Sequence, residues 1–230
     1  MIPYSIALSP EFKLLEREAQ MSTILLSIAI VGFLFVGWSG MRTNGFLNLL
    51  VKNFFRLSPK EKEFKETLKI NFGATLLLFL NFFIALSLCF FLLLSQHISK
   101  VESSLFALLA STVFLIIQQF GYRFVSFLSG EKEVTEAITT INRNTWQFGG
   151  ILLLVLATTW TLNPKFHEGF GYSFVFLLFL MLVLRMTKGL LLSLKKRIRW
   201  YYFILYLCTL EILPAFVFIR LAFGFFQWEM

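Results

Sequence analysis

Apolar residues along the chain are gathered into long blocks, and most charged residues lie in the short segments between them. A helix needs about 20 apolar residues to cross ~30 Å of hydrocarbon. The blocks therefore predict an all-α, polytopic transmembrane helix bundle of about six spans. The predicted spans are residues 22–41, 71–95, 105–128, 147–163, 170–192 and 200–226. Residues 1–21 form a tail, and residues 22–230 form a single six-helix membrane domain.

Composition excludes an ordinary soluble domain. The chain is 57% hydrophobic and 15% charged, and it has 30 phenylalanines in 230 residues. Soluble domains carry about 25% charged residues. The two cysteines, Cys89 and Cys208, lie inside apolar blocks, where free cysteine behaves as a small hydrophobic residue. No aspartate is present, and the histidines and cysteines lack metal-ligand spacing, so we expect no metal and no cofactor.

The basic residues predict the orientation. Sixteen of the 21 lysines and arginines fall in or beside the connections 42–70, 129–146 and 193–199. The other five are Lys13, Arg17, Lys100, Lys165 and Arg220. Basic flanks stay cytoplasmic, so both termini should lie outside a bacterial inner (cytoplasmic) membrane. Because topology accounts for the net charge of +8, we expect no nucleic-acid partner.

Two connections have the pattern of short amphipathic interfacial helices. In "GFLNLLVKNFFR" apolar residues recur at helical spacing, and bases on the other side can meet anionic lipid headgroups. The segment is either a membrane-anchoring elbow or a docking face for a partner. The second connection, "EKEVTEAITTINRNTW", ends at Trp146 as a predicted interface anchor. The interfacial bases are Lys52, Arg56, Lys195, Lys196, Arg197 and Arg199.

The tail contains a helix-start signal. In "SPEFKLLE", Ser9 is a cap and Pro10 occupies the first helical position. This predicts a helix on the outer membrane surface, and a frayed tail is the alternative.

The last apolar block contains both an acid and a helix breaker. Glu211 lies eleven residues after Trp200, about 16 Å along a helix and near the bilayer centre. Pro214 removes an amide donor and displaces the carbonyl of Leu210. Together with Cys208 and Thr209, they predict a kinked intramembrane polar centre.

The preceding helix offers a cation for Glu211. Arg185 and Glu211 are each thirteen residues from position 198, so an antiparallel hairpin places them roughly level; Lys188 lies opposite Cys208. One of the two bases is predicted to neutralise Glu211. The alternative is that both bases snorkel to the headgroups and that Glu211 is protonated.

Other polar residues lie within the predicted spans. They are Asn81, Gln118, Gln119 and Thr158, with Thr159 and Thr161 beside the last. Each could form hydrogen bonds between helices, which makes structural stabilisation the default interpretation. A solute pathway would require several of them on one cavity.

The C-terminal part resembles a known family. "RMTKG" at 185–189 and "YYFILYLCTLEILPAFVFIR" at 201–220 resemble a domain-of-unknown-function family of small polytopic membrane proteins from Bacteroidota. The resemblance implies an inner-membrane helical bundle and points to Arg185, Lys188, Gly189, Glu211 and Pro214. It implies no activity.

Three functions remain open. The first is a non-catalytic integral inner-membrane subunit or scaffold of a cell-envelope complex for export, secretion or surface assembly, with other membrane proteins as partners. The second is a transporter or channel for a small solute, lipid or protons that uses Glu211. The third is a membrane enzyme acting on a lipid-linked substrate, although the sequence shows no assembled acid/base set.

Overall fold

The first five of the six predicted apolar blocks are helices in the part of the chain that the structure describes. The computed structural model describes residues 10–42, 46–55, 72–95, 98–129 and 132–195. Over these ranges the chain forms six α-helices, one short 3-10 helix and no strand. They are α1 (Pro10–Arg42), α2 (Phe46–Phe55), α3 (Phe72–Leu94), α4 (Lys100–Ser129), α5 (Lys132–Leu162), the 3-10 helix Pro164–Phe166, and α6 (His167–Lys195). The all-α prediction is confirmed for this part of the chain.

Five of these helices have the length and apolar composition needed to cross a membrane. The candidate segments are Met21–Arg42, Gly73–Leu94, Lys100–Gln118, Thr139–Leu162 and Pro164–Leu191. Five such helices in one chain indicate a multi-pass membrane protein. The sixth predicted span, residues 200–226, lies outside the described residues, so the count of six stays a prediction.

Two helices are longer than the sequence pattern indicated. Helix α1 begins at Pro10, as the helix-start signal predicts, and continues without a break into the first span. Helix α5 likewise joins the predicted surface helix before Trp146 to the fourth span. Trp146 is only 5% exposed, and its ring stacks on Phe82 at a centroid distance of 5.8 Å. The prediction of an interface anchor was wrong, because the indole packs against aromatic rings of α3.

Helices α3 and α5 form the centre of the bundle and run parallel. A Cβ added at Gly150 would lie 2.9 Å from the Cα of Phe82, so the two backbones approach closely at this point. Further along both helices, the Sγ of Cys89 donates a weak hydrogen bond of 3.6 Å to the carbonyl of Leu153. The core around this contact contains Ala85, Leu86, Leu154, Ala157, Trp160 and Phe174.

Helix α1 packs antiparallel to α3. Gly32 faces the side chain of Asn81, and the Oγ of Ser39, seven residues later, lies 3.5 Å from the carbonyl of Ala74. Small residues at both levels permit close helix approach, as is common between helices in membranes.

The two ends of the bundle differ in charge. Among the side chains that the structure describes, Arg42, Lys52, Arg143, Arg185 and Lys188 lie at the end where α1 ends and α3 begins, which we call the basic end. Lys100 and Lys165 lie at the opposite end. The bases thus segregate as the predicted topology requires, whereas the direction across the membrane stays a prediction.

Candidate functional site

A buried arginine joins three helices at the basic end. Arg185 of α6 is 6% exposed. Its Nη1 atom donates hydrogen bonds to Oε1 of Gln118 on α4, at 3.0 Å, and to Oδ1 of Asn142 on α5, at 2.9 Å. A buried charged donor requires such acceptors, because a buried charge without hydrogen-bond partners is strongly destabilising. We call Arg185, Gln118 and Asn142 the Arg185 centre.

Close packing of α5 and α6 brings Arg185 to its acceptor. Asn142 and Gly149 are seven residues apart, which is two turns along one face of α5. Met181 and Arg185 are four residues apart on α6. Met181 lies where a side chain at Gly149 would project, so the two helices run antiparallel and Arg185 is level with Asn142.

The second buried base of α6 holds the short helix α2. Lys188, 4% exposed, donates from Nζ to the carbonyl of Phe54 at 2.6 Å. Nζ also lies 5.4 Å from the centroid of the Phe54 ring, within cation–π range. The last four carbonyls of a helix lack partners within the helix and carry partial negative charge. Lys188 therefore caps the C-terminus of α2 from another part of the chain.

Helix α2 packs partly against protein. Leu50 and Phe54, which the pattern assigned to the apolar face, are both buried. The Phe54 ring lies 4.2 Å from that of Phe148 on α5, and Leu50 packs beside Leu78 of α3. Lys52 on the other side is exposed. Part of the predicted apolar face therefore contacts the bundle itself, and the interfacial position of α2 stays a prediction.

The remaining interhelical candidates are not gathered at this centre. Asn81 lies in the middle of α3 and is wholly buried. Thr158 donates to the carbonyl of Leu154 at 2.7 Å, so this hydroxyl is satisfied within α5 and the expected interhelical bond is not formed. A threonine in apolar surroundings commonly bonds the carbonyl four residues earlier.

Several predicted residues lie outside the described part of the chain. They are Arg56, Lys196, Arg197, Arg199, Cys208, Thr209, Glu211 and Pro214, together with the side chains of Gln119 and Lys195. The pairing of Glu211 with Arg185 or Lys188 therefore stays a prediction.

The sequence interpretation missed Asn142. It belongs to the polar run "TTINRNTW", which was interpreted as part of a surface connection. The available signal was its seven-residue spacing from Gly149, which places a polar and a small residue on one helix face. Gln147, 2% exposed, was also overlooked, although it is the first residue of the predicted span 147–163.

The described side chains define what chemistry the centre can perform. The two acceptors of Arg185 within the Arg185 centre are neutral amides, which position a guanidinium and do not transfer protons near neutral pH. Within the described ranges, no three His, Cys, Asp or Glu residues cluster as metal ligands. The arrangement links helices and can present positive charge.

Comparisons with known proteins identify a family. No curated protein and no solved structure matches the chain. The family model described as "Domain of unknown function (DUF4271)" matches residues 24–222. The match includes the Arg185 centre and most of the described bundle. It also includes most of the segment that begins at residue 200. The chain therefore belongs to the DUF4271 family of domains of unknown function.

Proposed function

We propose that the protein is a non-catalytic, integral inner-membrane subunit or scaffold of a cell-envelope complex. The observation that carries the proposal is that Arg185 and Lys188, two buried bases of α6, both form hydrogen bonds to other helices. Arg185 bonds to side chains of α4 and α5, and Lys188 bonds to the backbone of α2. Four helices are thereby fixed relative to one another at the basic end, and a fixed arrangement of helices is what a scaffold presents to partners.

The outer face of α4 supplies a surface for such a partner. Its large apolar side chains are exposed along the whole candidate span. They include Leu105, Phe106, Leu108, Leu109, Val113 and Ile116. Helices in lipid associate through side-chain packing, so this face can contact another helix as readily as hydrocarbon.

Isolation from native membranes tests the proposal. The tagged protein would be extracted in mild detergent, and the co-purifying proteins identified by mass spectrometry. A photo-crosslinking residue at exposed Leu109 should capture a stoichiometric membrane partner, whereas the same residue at buried Ala157 should capture none. Purification as a solitary monomer, with no crosslink at Leu109, would contradict the scaffold function.

The second candidate is a transporter or channel that uses Glu211. It is favoured by two amide side chains, Asn81 and Gln147, which are buried and form no hydrogen bond within the described part of the chain. Buried polar groups inside a membrane bundle are typical of solute pathways. Solute or proton flux in liposomes should then fall in Glu211→Gln. Unchanged flux would make the acid structural.

The orientation is part of the proposal. Six spans with both termini outside would put the basic end in the cytoplasm. A membrane-impermeant thiol reagent applied to whole spheroplasts should label Lys165→Cys and leave Lys52→Cys unlabelled, because both positions are exposed but lie at opposite ends. The reverse pattern would invert the topology.

A further inference from the structure

Two amide side chains are buried inside the bundle. Asn81 is 0% and Gln147 is 2% exposed. Neither the nitrogen nor the oxygen of either amide forms a hydrogen bond within the described part of the chain. An unsatisfied buried polar group is destabilising, and in hydrocarbon surroundings its cost in free energy is higher still. Two such amides inside one bundle point to a hydrogen-bonding ligand.

The packing of α1, α3 and α5 places both amides at one junction. Gly150 of α5 lies against the backbone of Phe82, which directly follows Asn81. The position of a Cβ at Gly32 would be 2.9 Å from both Oδ1 of Asn81 and Cδ1 of Leu154, so these three residues meet. Gln147 precedes Gly150 by three residues and shares the face of α5 that carries Leu154. Gln147 therefore lies about one turn from Asn81, towards the basic end.

Gly32 is the residue that lets α1 pack closely against Asn81. A methyl group there would press on the amide oxygen and on the side chain of Leu154. Because only a hydrogen projects from α1 at this level, the amide of Asn81 lies enclosed where α1, α3 and α5 meet.

Polar residues connect this junction with the basic end. Thr140, Arg143 and Gln147 follow one another at spacings of three and four residues, so they form one stripe on α5. Thr140 and Gln147 are buried, and Arg143 is half-buried. Beyond Asn81 the surroundings become apolar, with Leu153 and Cys89 wholly buried. The polar stripe thus begins at the basic end and stops inside the bundle.

We propose that Asn81 and Gln147 form a hydrated site, in which water reaching the junction along the α5 stripe bonds to both amides. Amides offer donors and acceptors without charge, which suits water better than an ion. Buried waters commonly make about three hydrogen bonds to such otherwise unsatisfied groups. This site is independent of the scaffold function: it holds whether or not a partner is found.

Cysteine accessibility tests the site directly. Thiols react as thiolates, which form only where water reaches them. Both native cysteines would first be replaced, by Cys89→Ala and Cys208→Ala. A single new cysteine would then be introduced, either Asn81→Cys or Gln147→Cys, and each variant would be treated with a small methanethiosulfonate reagent in open native membranes. We expect both to react at least about tenfold faster than Leu153→Cys, an equally buried control in the apolar core.

The outcomes separate the possibilities. If both positions react as slowly as Leu153→Cys, the hydrated site is wrong. Reaction at Gln147→Cys alone would also overturn it, because the two amides would then not share water. Thermal melting of each purified variant shows whether it is folded. If a cysteine variant fails to fold, melting of Asn81→Leu or Gln147→Leu serves instead: replacement of a dry, unsatisfied amide should raise the melting temperature, whereas replacement of a hydrated one should not. A raised melting temperature would overturn the hydrated site.

Discussion

The guanidinium of Arg185 reaches across the α5–α6 interface to the side chain of Asn142, with Nη1 and Oδ1 2.9 Å apart. The two residues are 43 positions apart in the sequence and belong to antiparallel helices. Both are buried. Such a bond fixes the register of the two helices, because a shift by one turn would leave a charged donor without this acceptor.

Removal of the acceptor should therefore weaken the bundle. Asn142→Leu leaves part of a buried guanidinium unsatisfied, so we expect a loss of about 1–3 kcal/mol in the free energy of unfolding. Thermal unfolding of the purified protein in mild detergent measures the effect. Asn142→Asp keeps an acceptor at the same position and should be less destabilising than Asn142→Leu.

The matched control is Thr187→Ala on α6. Thr187 is exposed, and its hydroxyl bonds only within its own helix, to the carbonyl of Leu184 at 2.9 Å. We expect a change of at most about 0.5 kcal/mol, as is usual for surface substitutions. Equal losses in Asn142→Leu and Thr187→Ala would mean that the Arg185 bond contributes nothing specific.

A second prediction concerns the proposed pairing of Glu211 with Arg185. If the two touch, the losses of stability in Glu211→Gln and Arg185→Gln should not add in the double variant, because either change alone removes the same interaction. Melting temperatures of the four proteins give the coupling. Additive losses would show that Arg185 is not the partner of Glu211. The same double-mutant cycle with Lys188→Gln would then test the other base.

A third prediction concerns the close approach of the α3 and α5 backbones. In Gly150→Ala the new methyl would lie 2.9 Å from the Cα of Phe82, and a backbone atom cannot move aside as a flexible side chain can. We expect overpacking to cost about 1–3 kcal/mol in the unfolding free energy. At Gly37 a methyl meets nothing within 4 Å, so Gly37→Ala should be neutral or stabilising. A similar melting temperature for both variants would argue against close α3–α5 packing.

The sequence predicted the helices because hydrophobic length is a property of one segment alone. Helix faces were harder to assign, because an apolar stripe looks the same whether lipid or protein covers it. Phe54 and Trp146 show this: both were assigned to the membrane surface, and both pack against rings of the bundle.

The contacts of Arg185 could not be predicted for a related reason. Counting from the turn at residue 198 related Arg185 only to the following helix. Its bond to Asn142 depends on how α6 packs on the preceding helix, which the contact between Gly149 and Met181 sets. A polar segment next to a span was also interpreted as a connection, although α5 continues through it as one helix.

The bond between Lys188 and Phe54 predicts how α2 is held. Loss of the charged donor in Lys188→Met should release the C-terminus of α2, because a hydrogen bond to a charged group contributes about 1.5–3 kcal/mol. That corresponds to roughly tenfold to a hundredfold more frequent local opening, which hydrogen–deuterium exchange of residues 46–55 measures. Lys188→Arg retains a cation and should exchange more slowly than Lys188→Met. Lys165→Met removes an exposed charge at the opposite end and should leave α2 unchanged. If α2 exchanges equally fast in wild-type protein and Lys188→Met, its buried Leu50 and Phe54 hold it without Lys188.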